Sequence, residues 1–89
     1  MFYLYILQSS LNGRTYIGST ADVVKRLEQH NKKSVRSTKA YIPWVLVYHE
    51  EYKTKTAARK REIELKTNSW KREELFRRFY NLVAPSSNG

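Results

Sequence analysis

The chain has 89 residues, no cysteine and a formal net charge of +9 at pH 7, from 17 Lys and Arg against 8 Asp and Glu. This length allows a single domain with a modest core. The lack of cysteine excludes a disulfide framework and a thiolate metal site, and it fits a reducing, cytoplasmic compartment. The positive charge favours nucleic acid as a partner. The alternative is that the charge only keeps the protein soluble. A membrane is not an expected partner, because no apolar run is long enough to cross one and no predicted helix pairs a clean apolar face with a basic one.

The first 20 residues predict a β-hairpin. Aromatic and β-branched residues, which favour strands, fill 2–7 and return at 15–17. An Asn-Gly pair at 12–13 suits a tight turn between them, and in such a turn Tyr16 lies opposite Ser9. Side chains alternate between the faces of a strand. One face therefore carries three phenols and a glycine: Tyr3, Tyr5, Tyr16 and Gly18. The glycine indicates that another group approaches the backbone there, which is typical of half of a site.

A helix is predicted next, from about Asp22 to Gln29 or His30, after a Ser-Thr-Ala-Asp start signal. Arg26 and His30 lie one turn apart on it, so their side chains share a stripe. Beside the phenols of the hairpin they form a cluster able to bind an anion. The spacing alone equally allows Arg26 to be an ordinary solvated side chain and His30 to be a residue that only interacts favourably with the helix end.

Residues 31–41 predict a basic, polar loop that contacts phosphates through charge without reading sequence. The alternative is a loop whose charges are only solvated. The candidate contacts are Lys32, Lys33, Arg36 and Lys39. After Pro43, residues 44–50 predict a central or well-covered strand. Regular alternation along this strand places three large side chains on one face: Trp44, Leu46 and Tyr48.

The following helix is predicted from about Thr56 to Lys66. Spacings of four and three residues put Ala58, Glu62 and Leu65 on one inward stripe. A carboxylate on that stripe is costly unless it meets a cation. A divalent metal would supply one, and so would a helix neighbour such as Arg59 or Lys66.

A last helix is predicted from Trp70 to Leu82, with an apolar stripe that belongs to the core. Residues 84–89 predict a flexible C-terminal tail, so the single expected domain covers residues 1–83. The order β-β-α-β-α-α predicts an α+β domain, in which a small three-stranded antiparallel sheet is flanked by helices.

Two triplets of the hairpin carry a family resemblance. Tyr3-Leu4-Tyr5 followed by Tyr16-Ile17-Gly18 resembles the paired signature of the GIY-YIG nuclease superfamily. The whole chain resembles the small stand-alone bacterial members, which are similar to the N-terminal nuclease domain of the excision-repair incision subunit, a DNA repair enzyme. The first triplet lacks the Gly-Ile of the signature, so only Tyr5 carries over from it.

The resemblance implies roles for three helix residues. Arg26 in VKRLEQHN is then an active-site residue, His30 occupies a frequent site position, and Glu62 in ARKREIELK is the metal ligand. A late Asn helps to position the site in many members. Neither Asn68 nor Asn81 stands in a matching context, which leaves one catalytic position open.

The activity implied by the resemblance is a one-metal endonuclease that hydrolyses DNA phosphodiester bonds, with RNA as the alternative substrate. Mg²⁺ or Mn²⁺ is the expected cofactor, because Mg²⁺ keeps several waters and suits a site with a single carboxylate. In this scheme Arg26 clamps the phosphate, Tyr16 takes the proton from water, and Tyr5 orients it. His30 is the competing base, since its intrinsic pKa is more suitable. The alternatives are an inactive nucleic-acid-binding module of the same fold and an adaptor whose basic face binds an acidic protein.

Overall fold

The computed structural model describes residues 1–32, 35–36 and 38–83, with the backbone alone for 79–83. The elements in chain order are β1 (Phe2–Ser9), β2 (Thr15–Thr20), α1 (Val23–Asn31), a 3-10 turn (Lys39–Tyr41), β3 (Trp44–Tyr52), α2 (Lys55–Thr67) and α3 (Ser69–Val83). The predicted α+β class and the order β-β-α-β-α-α are confirmed. The predicted tail, Lys33 of the basic loop and the side chain of Asn81 lie outside the described residues. Within the described part of the chain, no helix is long and apolar enough to span a membrane.

Capping side chains set the starts of the first two long helices. The Asp22 carboxylate accepts from the Lys25 N–H at 3.0 Å and begins α1, and the Thr54 hydroxyl accepts from the Ala57 N–H at 3.1 Å and begins α2. These residues satisfy backbone donors that have no partner within the helix. The predicted helix boundaries therefore differ from the observed ones by only one or two residues.

The three strands form an antiparallel sheet in the order β2-β1-β3. Strand β1 is therefore central, because both other strands pair with it. The prediction that β3 is a central strand is wrong, and its side chains alternate between covered and exposed positions along much of its length. This alternation is typical of a strand at the edge of a sheet with one solvated face.

The hairpin pairing is displaced from the predicted one. Tyr16 lies opposite Leu7 and not Ser9, because the loop is wider than two residues: the Ser9 N–H donates to the Arg14 carbonyl at 2.8 Å, across residues 10–13. Gly13 supplies a positive φ of 79° within this loop. A displacement by two residues keeps the parity of a strand. The predicted face is therefore confirmed, and it carries Tyr3, Tyr5, Tyr16 and Gly18.

A bulge in β3 changes the faces of that strand. Leu46 lies opposite Leu7 and Tyr48 lies opposite Ile6, which leaves Val47 as the inserted residue. An inserted residue reverses the alternation beyond it. Tyr48 therefore packs on the cluster that contains Ile6, and the prediction that Tyr48 shares a face with Leu46 is wrong.

The sheet separates two apolar clusters. On one face, α2 and α3 contribute buried leucines to a cluster made of Leu4, Ile6, Ile17, Leu65 and Leu75. On the other face, α1 packs on a cluster of Tyr5, Leu7 and Trp44 through Val23 and Leu27. The signature tyrosines lie on this second face, so α1 is the helix that covers them.

Candidate active site

Tyr5 lies at the centre of the candidate site. Its side chain is 2% exposed and reaches from β1 to α1. The hydroxyl oxygen lies 3.2 Å from His30 Nε2, and it accepts from Arg26 Nε at 3.4 Å. The structure thus brings together one signature phenol and the two helix residues that were predicted to share a stripe.

The partners of Thr38 and His30 show which group donates in each hydrogen bond of this chain. The Thr38 hydroxyl donates to the Val35 carbonyl at 3.3 Å, so it accepts from His30 Nδ1–H at 2.8 Å. Burial, followed by the nearby Arg26 charge, lowers the pKa of His30 to about 4. The ring is therefore neutral near pH 7 and its Nε2 carries no proton. Tyr5 consequently donates its O–H to Nε2 and accepts from Arg26, and the fully buried imidazole is screened from solvent.

Gly18 makes room for the Tyr5 ring. The two residues lie opposite each other in the hairpin. A Cβ atom at position 18 would stand 2.5 Å from the Tyr5 hydroxyl oxygen and 2.6 Å from its Cζ. These distances are well inside van der Waals contact, so no side chain fits while the phenol keeps its place. The group that approaches the backbone at this glycine is the ring of Tyr5 itself.

We expect Gly18→Ala to displace the Tyr5 hydroxyl from His30 and Arg26. Overpacking of this kind lowers the free energy of unfolding by about 1–3 kcal/mol, measured by urea denaturation. The same substitution in a Tyr5→Ala background is the control, because the ring whose atoms lie nearest to the added methyl is then absent. An equal loss of stability in both backgrounds would contradict the contact described here.

Tyr16 differs from Tyr5 in its access to solvent. It is half-buried, with its ring 4.8 Å from the His30 ring and 6.3 Å from the Tyr5 ring. It also lines an open groove of about 440 Å³ together with Thr15, Ile17, Lys66 and Arg72. A group bound in this groove therefore meets Tyr16 and not the buried phenol.

Arg26 interacts electrostatically with both phenols. Burial raises the pKa of Tyr5 to about 12, although the hydrogen bond from Arg26 acts in the opposite direction. The hydrogen bond to Tyr5, with smaller contributions from Tyr16, raises the pKa of the Arg26 guanidinium. Arg26 also donates from Nη1 to Gln29 Oε1 at 2.9 Å. Its guanidinium is thus a permanent positive charge that is oriented by neighbours on two elements.

Glu62 lies on the predicted buried stripe of α2, with Ala58 and Leu65. It is 6% exposed, and its charge is close enough to contribute to the raised pKa of Tyr5. Ser19 Oγ donates to Oε1 at 2.7 Å, and Lys66 Nζ donates to Oε2 at 2.8 Å. Burial by itself raises the pKa of the Glu62 carboxyl, but the hydrogen bonds from Lys66 and Ser19 and the charges of Lys66 and Arg59 together outweigh it, so the pKa lies below its usual value. The carboxylate is therefore ionised at neutral pH.

The donor set at Glu62 fits a hard divalent cation. Among the described residues, no group of three or more His, Cys, Asp or Glu side chains could hold a metal ion. A single carboxylate suits Mg²⁺, which retains several waters and takes further ligands from a phosphate. The cations now paired with Glu62 are on long side chains, with Lys66 46% exposed and Arg59 64% exposed. A bound cation would therefore take the place that these two side chains occupy at the carboxylate.

Other predicted residues are placed elsewhere. Lys32, Arg36 and Lys39 are exposed in the part of the loop that the structure describes. The loop also contributes to the core, because Thr38 is 2% exposed and holds His30. Asn68 accepts from the Lys71 N–H at 3.0 Å, so its side chain is used as the cap of α3.

Some residues with direct contacts to the site were not predicted to belong to it, among them Ser19, Thr38 and Lys66. Lys66 had a visible signal, since it follows Glu62 by one helical turn, but the sequence did not show that its Nζ lies 5.6 Å from the centre of the Tyr16 ring. Ser19 lies opposite Leu4, so its strand parity places it on the α2 face. Thr38 has no periodic pattern that would have distinguished it from the other loop residues.

Comparisons with known proteins show which sequences this chain resembles. Residues 1–75 match the family profile of the GIY-YIG catalytic domain. The chain is 44% identical over 66 residues to UPF0213 proteins of Staphylococcus aureus strains Mu3, N315 and MW2. Each alignment covers 73% of this chain and 79% of the relative. No solved structure matched the chain.

Proposed function

The chain belongs to the GIY-YIG family, whose nucleases act on DNA and generally depend on metal, and from this we propose that it is an endonuclease that hydrolyses DNA phosphodiester bonds with Mg²⁺ or Mn²⁺. The single observation that carries the proposal is the grouping of a guanidinium, two phenols and a buried carboxylate beside an open groove. The metal ligand in this proposal is Glu62, and a bound ion would act there as a Lewis acid on the phosphate and the leaving oxygen.

Arg26 is the proposed phosphate clamp. A guanidinium presents donors in a rigid fork that matches phosphate oxygens. The hydrogen bonds to Tyr5 and Gln29 fix its orientation before substrate arrives, so little reorganisation is needed as negative charge develops on the phosphate. Tyr5 and His30 are positioning residues in this scheme, because Tyr5 accepts from Arg26 on the buried side and His30 holds the Tyr5 hydroxyl.

Tyr16 is the proposed base that takes the proton from the attacking water. Its ring lines the open groove, whereas Tyr5 directs its proton to His30, and His30 is fully buried. Arg26 and Lys66 are the cations near Tyr16, and in this proposal their positive charge offsets the negative charge that develops as the water loses its proton. The water then bonds to phosphorus as the bond from phosphorus to the leaving oxygen breaks.

The proposal is tested by nicking of supercoiled plasmid with Mg²⁺, with EDTA as the negative control. We expect wild-type protein to cleave, and Tyr16→Phe to lower the rate by about 100-fold or more, the contribution of a general base. Tyr5→Phe keeps the ring over Gly18 and should lower the rate less. Wild-type protein that leaves the plasmid intact with both Mg²⁺ and Mn²⁺ would refute the proposed activity, and an equal effect of both variants would refute the choice of base.

A second candidate function is a nucleic-acid-binding module without activity. Two observations favour it: the first triplet lacks the Gly-Ile of the signature, and Glu62 is already neutralised by Lys66 and Arg59. This function predicts binding that weakens steeply with salt and no cleavage with either metal.

A further inference from the structure

Two open grooves flank Glu62, and cations line both of them. The first has a volume of about 520 Å³ and is lined by Ser19, Lys55, Thr56, Arg59 and Lys60. The second, of about 440 Å³, is lined by Thr15, Tyr16, Ile17, Lys66 and Arg72. Both grooves contain residues of β2 and α2, so they follow the boundary between these two elements.

Residues from both grooves contact the carboxylate of Glu62. From the first groove, Ser19 and Arg59 approach Oε1 at 2.7 and 3.5 Å. From the second groove, Lys66 approaches Oε2 at 2.8 Å. The acidic group between the two grooves is therefore neutralised by their own residues, and the surface stays basic along its whole length.

We propose that this β2–α2 seam, defined by Lys55, Arg59, Lys60, Lys66 and Arg72, is the track on which one strand of DNA lies. The inference rests on the proposed function and adds the path of the substrate to it. The net charge of +9 suits a polyanion, and contacts from Lys and Arg to phosphates give affinity that does not depend on sequence.

The position of the seam matches what an endonuclease requires. Cleavage of an internal bond needs room for the strand on both sides of the scissile phosphate. One groove is lined by Lys55 and Lys60 and the other by Tyr16 and Arg72, and each groove also contains a residue that contacts Glu62. A strand that follows both grooves passes the candidate metal ligand and the candidate base in its middle.

The seam is a different surface from the basic loop. The loop residues Lys32 and Lys39 follow α1, whereas Lys55 and Lys60 lie on α2. All four side chains are exposed, so their substitution leaves the core intact. The two surfaces can therefore be altered separately in the whole protein.

The test compares Lys55→Glu/Lys60→Glu with Lys32→Glu/Lys39→Glu, two pairs that lower the net charge equally. Binding of a short fluorescent DNA oligonucleotide is measured in EDTA at several salt concentrations, and thermal unfolding shows that each variant is folded. We expect the seam pair to weaken binding at least about tenfold and to reduce the salt slope by about 1 for each phosphate that the variant no longer neutralises. The loop pair should weaken binding less than the seam pair, because the strand contacts the seam directly, whereas charges outside the seam act on it only through screened long-range attraction.

Equal losses in both pairs would show that only net charge matters, and a loss confined to the loop pair would place the strand on the loop. Either result would refute the proposal that the DNA strand lies on the seam. Wild-type protein that does not bind DNA at physiological salt also overturns it and favours an acidic protein as the partner. Because binding is measured without metal, the track and the activity are tested separately. If the protein binds DNA along the seam but never cleaves it, only the proposed activity is refuted. Protein that cleaves while the seam pair binds normally would refute the track alone.

Discussion

Glu62→Gln is expected to abolish metal-dependent cleavage and to remove the Mn²⁺ site. Gln preserves the shape of the side chain and still accepts the hydrogen bond from Ser19, but it lacks the negative charge that a divalent cation requires. The remaining ligands would then be waters and substrate oxygens. A metal contributes several kcal/mol of stabilisation to the transition state, so the rate should fall by about 1,000-fold or more. Plasmid nicking measures the rate, and electron paramagnetic resonance of Mn²⁺ measures binding independently of activity.

Glu64→Gln is the matched control for this variant. Glu64 lies on the same helix and pairs with Arg61 at 2.8 Å and with Lys71 at 2.6 Å, away from the stripe that carries Glu62. It should bind Mn²⁺ and cleave as wild type does. Retained Mn²⁺ binding in Glu62→Gln, or equal losses in the two variants, would show that Glu62 is a structural ion-pair residue and not a metal ligand.

Arg26→Lys is expected to lower the cleavage rate by about 1,000-fold while DNA affinity changes only a few-fold. Lys keeps the positive charge, but it loses the planar fork and the Nε donor to Tyr5, which lies at 3.4 Å. An interaction that is made mainly in the transition state appears in kcat and not in binding. Single-turnover cleavage and equilibrium DNA binding separate these two quantities.

The control for Arg26→Lys is Arg77→Lys, which makes the same chemical change outside the site. Arg77 is exposed on α3. It should leave both quantities unchanged. If Arg26→Lys instead lowers DNA affinity and leaves the rate at saturating DNA unchanged, Arg26 is one phosphate contact among several and does not clamp the transition state.

The parts of the fold that follow from short-range periodicity were accessible from the sequence. The spacing of Ala58, Glu62 and Leu65 predicted the buried stripe of α2, since the helical repeat alone decides which residues share a face. The parity of the hairpin survived an incorrect turn, because a shift by two residues returns every side chain to the same face. The prediction that Arg26 and Glu62 are site residues came from the family resemblance and not from periodicity.

The parts that depend on pairing between distant segments were not accessible. The bulge at Val47 has no residue signature in the sequence, and it arises only where β3 pairs with β1. The same is true of Lys66, whose contact with Tyr16 depends on how α2 packs beside β2. Thr38 holds His30 from a loop whose basic composition suggested solvent exposure, because composition describes a segment and not the single side chain that turns inward.

The inserted residue in β3 also decides which later side chains of the strand face α2. Beyond Val47 the strand presents Glu50 to the helix side of the sheet, where both carboxylate oxygens accept from Arg61, at 2.9 and 3.1 Å. The hydroxyls of Tyr48 and Tyr52 donate to the same carboxylate at 2.5 and 2.6 Å. This four-residue cluster ties β3 to α2 at Arg61, one position before Glu62. An irregularity in an edge strand therefore provides an anchor for the helix that carries the candidate metal ligand.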